Sequence, residues 1–221
     1  MGTNEDEMAL FLVLLGVIVG DGVEVPPVRA EHFPKVAHHL VQYHDNWTEE
    51  TVTAIEAAYP SADFPTETVR MIKFTTDFAF RCGTRRAARA LSAAGIDVYL
   101  YSFEFKSNLY LDPALPVCSA DAGLGCGVYH SAEIKYVFST YNGVDPDGQR
   151  VADIMGVWWT NLAKYGTPNS PRLPEKAWPT YAAASDKHME ITPTPRASAG
   201  LARAGCDFLD SLPPMDGYPT H

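Results

Sequence analysis

The chain has no apolar run near the roughly 20 residues that a bilayer-spanning helix requires. Its longest, Met8 to Val19, covers about 12 positions. A secretory leader of that length would follow a basic segment, whereas Glu5, Asp6 and Glu7 precede this one, so it reads as a buried segment of the fold and no export signal is visible. Positive charge is also scarce. Seventeen Lys and Arg stand against 27 Asp and Glu, for a net charge of −10 and a pI near 5.1. That balance disfavours nucleic acid and anionic membrane surfaces as partners. There is no C-x-x-C pair, no zinc-finger spacing of histidines, no internal repeat and no low-complexity block. A structural zinc site and a solenoid are thereby excluded. What is present suffices for a core: 46% hydrophobic and 11% aromatic residues in 221, the length of one domain. Soluble enzymes and binding modules remain.

Strands are few as well. Met1 to Thr3 reads as the stub of one, Asp97 to Phe105 as the single well-formed strand, rich in β-branched and aromatic residues, and Met189 to Thr192 as a short third. Helices are expected over Val28 to Tyr43, with Phe33, Val36 and Leu40 on one side, and from a cap at Asn46 or Thr48 through Ala58. Further helices are expected over Thr66 to Phe80, Thr84 to Ala94 (stopped by Gly95), Val151 to Tyr165 and Ser198 to Leu212. Lys106 to Tyr129 reads as a long loop of the kind that often carries function, and Gly166 to Pro179, with its prolines, as a surface connection. One good strand cannot make a self-sufficient sheet, so an α/β assignment needs strands that these residues do not supply.

Chemistry can be placed at few positions. His130, in Gly127-Val-Tyr-His-Ser-Ala-Glu133, ends the long loop downstream of a strand, where an imidazole can serve as a general base or simply hold structure. Glu133, one helical turn on, could anchor that segment or face water. Glu7, after the strand stub, could orient an imidazole or belong to a solvated acidic turn. His38, His39 and His44 read as a solvated helix face rather than a metal site. Gly123-Leu-Gly-Cys-Gly127 does not lead from a strand into a helix as a phosphate loop would, Asn46-Trp-Thr48 fits a glycosylation sequon, and Trp158 and Trp159 read as core. Cys82, Cys118, Cys126 and Cys206 allow two disulfides in three pairings, or four free thiols. Disulfides would imply an oxidising compartment.

Several of these segments, in order, resemble the C-terminal half of the type B carboxylesterases, the family of cholinesterases and bacterial p-nitrobenzyl esterases. Gly2-Thr-Asn-Glu-Asp-Glu7 is similar to the turn that ends in the triad acid, and Thr76-Asp-Phe-Ala-Phe-Arg-Cys82 to the helix bearing a disulfide cysteine. Val98-Tyr-Leu-Tyr-Ser-Phe103 resembles the following strand. Gly127 to Phe138 resembles the catalytic histidine loop, and Trp159 to Asn169 with Trp178-Pro179 the helix and loop after it. The resemblance covers nearly all of residues 1–221 and implies the C-terminal portion of one α/β-hydrolase domain, mostly helical with few strands and an incomplete sheet. It implies His130 as general base, Glu7 as its orienting acid, a Cys82–Cys206 disulfide with Cys118–Cys126 as the other pair, and a small carboxylic ester as substrate, with no cofactor. Four positions depart from the family's pattern: Met8 and Ser131 stand where Gly is usual, and Gly83 and Lys135 where Pro is usual.

The resemblance also defines a gap. In this fold the triad runs Ser, acid, His along the chain, so the serine is expected upstream of Met1. No G-x-S-x-G occurs in the sequence; Arg196-Ala-Ser-Ala-Gly200 lacks the first Gly and follows the histidine. The chain is therefore expected to be a fragment of an exported (secreted or periplasmic) serine esterase, inactive alone. The alternatives are a non-catalytic binding or adhesion module and one chain of a split enzyme whose other half supplies the serine.

Overall fold

In the computed structural model the described residues are 1–11, 28–41, 47–106, 127–143, 145–171 and 176–213. Most of the Met8 to Val19 run, most of the Lys106 to Tyr129 loop, His44, Asn46, Cys118 and Cys126 lie outside them.

Three parallel strands form the centre of the sheet: β1 (Gly2–Asn4), β2 (Tyr101–Phe103) and β3 (Lys187–Ile191), with β4 (Arg196–Ala199) antiparallel on β3. Register is set row by row. Gly2, Tyr101 and Met189 align, then Thr3, Ser102 and Glu190, then Asn4, Phe103 and Ile191. Because successive side chains alternate between faces, Tyr101, Phe103, Met189 and Ile191 share one face, and Thr3, Ser102, Glu104, His188 and Glu190 the other. Gly2 is required where it stands: a Cβ there would fall 2.3 Å from the Tyr101 ring.

Helices cover both faces. They are α1 (His32–Val41), α2 (Glu49–Ala58), α3 (Glu67–Thr76), α4 (Cys82–Ala93), α5 (Ile134–Val137), α6 (Pro146–Tyr165) and α7 (Arg203–Ser211). Start signals explain several of them. The Thr48 amide donates to Thr51 Oγ1 at 3.1 Å ahead of α2, and Thr66 Oγ1 accepts from the Val69 amide at 3.2 Å ahead of α3. Asp145 caps α6 with Pro146 at its first turn, and Gly166, at φ +72°, ends it. The helix α6 thus begins before the Val151 expected from periodicity.

Two further expectations need correction. Thr66 to Phe80 and Thr84 to Ala94 are not separate helices: α3 runs into α4 through one wide π turn, Asp77–Arg81. Ser198 to Leu212 is not all helix, since Arg196–Ala199 pairs as β4 and α7 starts only at Arg203. The described elements form an α/β arrangement that is mostly helical with a small open sheet, as expected.

The apolar face of the sheet packs on α5 and α6 around Phe103, Tyr136, Met155, Trp158 and Trp178. A second core gathers α1 to α4 and α7 around Phe33, Ile55, Met71 and Phe74. It contains a disulfide between Cys82 and Cys206, 124 positions apart, joining α4 to α7.

Candidate functional site

The candidate site lies where chain leaves the C-terminal ends of two parallel strands. After β1 the backbone turns at Glu5 and Asp6 and enters a 3-10 helix, Glu7–Phe11. Residues 127–133 lie beside that turn. The strands hold the two segments together: the Glu5 amide donates to the Phe103 carbonyl at 2.9 Å, and the Asp6 amide to the Val128 carbonyl at 3.0 Å.

Within this frame Glu7 Oε2 meets His130 Nδ1 at 2.7 Å. A carboxylate can only accept, which puts the shared proton on Nδ1 and leaves Nε2 as the basic edge of the ring. The other oxygen, Oε1, accepts the Asn4 amide at 2.7 Å, and the His130 amide donates to the Glu7 carbonyl at 3.3 Å. Glu7 is buried, while the His130 side chain is 41% exposed, so the ring is anchored at its inner edge and open at its outer one. Burial pushes the Glu7 carboxyl upward; the Asn4 amide and the imidazole pull the other way, and nearby Glu133 adds to the rise. Phe11 and Phe80 lie against the imidazole, with ring centroids at 5.5 and 5.1 Å. Phe80 reaches it from the π turn, a distortion often met at functional sites.

A second set of contacts surrounds the pair. Asp6 Oδ2 accepts the Val128 amide at 3.0 Å, and Lys73 Nζ lies 3.1 Å from Asp6 Oδ1 and 3.2 Å from Glu5 Oε1. Asn4 Nδ2 donates to the Tyr129 carbonyl at 2.7 Å and to Glu133 Oε2 at 2.6 Å. Glu133 therefore anchors the histidine segment instead of merely facing water. Gly127, at φ +54°, leaves the space that Asp6 needs, since a Cβ there would fall 2.4 Å from Oδ2. Ser131, beside the imidazole, is also in the left-handed region, at φ +69°.

Other residues singled out in the sequence lie elsewhere. His38 is exposed and pairs with Glu49 at 2.9 Å, between α1 and α2. Ser198 is on β4, at the opposite edge of the sheet from β1. Trp158 is fully buried core. Cys118 and Cys126 are outside the described residues. Among the described residues no group of three or more His, Cys, Asp or Glu could hold a metal ion, and no helix is long and apolar enough to cross a membrane. Sequence reasoning left Asn4, Asp6, Lys73 and Phe80 without roles. Only the placing of Asn4 and Asp6 within the acidic turn hinted at the first two.

The sequence profile of the carboxylesterase family matches residues 1–209. The chain is 29% identical to acetylcholinesterase from Bungarus fasciatus over 53% of its own length and 18% of that protein's. It is 22% identical to carboxylesterase 1C from Rattus norvegicus over 100% of its length and 39% of the other's. With bile salt-activated lipase from Homo sapiens it shares 27% identity over 76% of its length and 20% of the lipase. The chain thus spans well under half the length of these curated relatives. With the profile matched along almost all of its residues, and the α/β-hydrolase fold that this implies, the chain belongs to the carboxylesterase family.

Proposed function

We propose that this chain carries the acid and the base of a serine carboxylesterase acting on small carboxylic esters through an acyl-serine intermediate. The observation that carries the reading is the Glu7–His130 contact at 2.7 Å, with Nε2 at the ring's outer edge. In this reaction Nε2 takes the proton of a serine hydroxyl as the oxygen attacks the ester carbonyl. It then returns the proton to the departing alkoxide, and repeats the cycle with water to release the acid. Glu7 stays ionised, holds the tautomer and stabilises the imidazolium. No G-x-S-x-G occurs in the 221 residues, so the nucleophile and oxyanion donors come from a segment or chain outside them. Residues 1–221 are then the C-terminal part of one domain whose parent is exported. The Cys82–Cys206 bond supports the last point, since disulfides persist in oxidising compartments. A non-catalytic binding module would have no need of an oriented imidazole, which favours the enzyme reading.

The test expresses these residues with the sequence encoded ahead of Met1 and follows p-nitrophenyl ester hydrolysis. The purified chain alone shows no turnover above buffer. The extended chain shows turnover that falls by about a millionfold in His130→Ala. An upstream sequence without a nucleophile-bearing turn, or turnover that survives His130→Ala, overturns the reading.

A further inference from the structure

We propose that Asp6 and Asn4 are positioning residues for His130, acting as a two-sided clamp that fixes the imidazole segment against the turn bearing Glu7. The inference rests on the reading of Glu7 and His130 as an acid–base pair, and goes beyond it by giving work to two side chains that the reaction does not touch.

Every hydrogen bond described between residues 127–133 and the acid side of the site lands on residues 4–7. Two run backbone to backbone, Asp6 with Val128 and His130 with Glu7. The rest depend on side chains. Asp6 Oδ2 takes the amide of Val128, two residues before the imidazole. Asn4 Nδ2 bonds the Tyr129 carbonyl, one residue before it, and Glu133, three residues after it. The clamp thus grips both flanks of His130. It is itself held: Lys73, from α3, neutralises Asp6 at 3.1 Å, and Asn4 sits in β1, almost wholly buried. The backbone of Gly127 accommodates the Asp6 carboxylate and no side chain would. Acid–base constellations work only when held to within about 0.5 Å, and a loop secured by backbone contacts alone has more freedom than that. Asn4 couples the two halves of the device, because its own amide also holds Glu7 Oε1.

The readout is the Nδ1–H proton of His130, seen by NMR in the purified chain and assigned by its disappearance in His130→Ala. In the native chain it is protected from exchange by Glu7. In Asp6→Ala and in Asn4→Ala that protection falls by about tenfold, the equivalent of one lost hydrogen bond, while the Phe103 amide of β2 keeps its protection. Asp6→Asn still offers an oxygen to the Val128 amide and restores most of the signal. Should Asp6→Ala fail to fold, Asn4→Ala and Asp6→Asn carry the comparison. Native protection in both alanine variants, an equal loss at Phe103, or Asp6→Asn behaving as Asp6→Ala would overturn the clamp while leaving the pair intact. Absence of the protected proton in the native chain would instead overturn the pair, and the proposed function with it.

Discussion

On one face of the sheet Tyr101 and Phe103 stand among rings, with Trp159 at 5.4 Å, Trp178 at 6.0 Å and Tyr136 at 5.6 Å. On the other face Thr3, Ser102, His188 and Glu190 are equally buried, and charged groups act on them there. Arg81 acts on both Glu104 and His188, and Arg196 holds Glu190. Beside them Arg85 meets Asp186 at 2.6 Å, with both side chains 2% exposed. Close packing of rings stabilises the first face with little directionality. The second holds together only while each charge keeps its partner, because a buried charge left alone costs several kcal/mol. Two faces of one sheet, buried alike, should therefore fail differently.

The largest difference is expected from the disulfide, which ties α7 to α4 in the helical layer carrying Arg81 and Arg85. Closing a loop of 124 positions stabilises by roughly 4 to 5 kcal/mol in the chain-entropy account. Reduction, or Cys82→Ala with Cys206→Ala, should lower the thermal midpoint accordingly. Exchange protection should fall first in α7, while α6, on the ring-packed face, holds. Simultaneous loss in α6 and α7 would erase the distinction.

Next come single deletions on each face. Phe103→Ala removes a fully buried ring and should cost about 3 to 5 kcal/mol. Arg85→Met should cost a similar amount, about 3 to 5 kcal/mol, by taking from buried Asp186 its nearest cation and leaving it only Tyr181 and the half-exposed Arg203. The two costs part company in acid. Burial would raise the Asp186 carboxyl, but Arg85, Tyr181 and Arg203 together hold it below its ordinary value of 3.8. Stability from the pair is therefore full above that value and is lost as pH falls below it. Urea titrations at neutral pH and below pH 3.8 should show the Arg85→Met penalty shrinking and the Phe103→Ala penalty unchanged.

A smaller effect belongs to His188. Burial pushes its imidazole below the ordinary 6.5, against the pull of Glu190 and Asp186. The folded chain thus resists taking up a proton that the unfolded chain accepts, and stability drains away as pH falls below 6.5, by at most about 1.4 kcal/mol per pH unit. Glu104 works in the opposite sense, since burial raises its carboxyl and the folded state gains from protonation. Comparison with His188→Gln isolates the histidine: the variant should lose less stability than the native chain between pH 6.5 and 5.

How much of this could be read in the sequence follows the same division. Apolar spacing located the helices of the core, and the segments holding Glu7 and His130, which the structure brings into contact, stood out as whole blocks such as Gly127 to Phe138. The polar face was not. Tyr101-Ser-Phe-Glu-Phe105 alternates as a strand with one side in water would, and nothing local says that Ser102 is fully buried. β4 escaped notice because Arg-Ala-Ser-Ala has no β-branched or aromatic side chain; its pairing with β3 makes it a strand. The expected helices ended at Phe80 and resumed at Thr84, whereas the chain passes through Arg81 to Gly83 without a break. The clamp of Asn4 and Asp6 is tertiary throughout, and an acidic turn alone carries no sign of what it will grip.

The smallest effect is expected at Ser131, and it sharpens the comparison when set against the same change on the other face. Ser131, in the histidine segment on the ring-packed side, and Asp186, leading into β3, both have left-handed backbones, at φ +69° and +49°. Such a conformation costs a non-glycine residue about 1 to 2 kcal/mol, and glycine escapes that cost while losing about 0.5 to 1 kcal/mol of unfolded-state entropy. Ser131 is exposed, so Ser131→Gly should raise stability by a few tenths to about 1 kcal/mol and leave the His130 Nδ1–H signal in place. At Asp186 the same relief is outweighed, because the side chain bonds Arg85, Tyr181 and Arg203. Asp186→Gly should therefore destabilise by several kcal/mol. Thermal melts of the two variants should move in opposite directions. A gain at Asp186 would mean that its ion pairs are worth less than one strained backbone angle, and that the charged face is held by its disulfide alone.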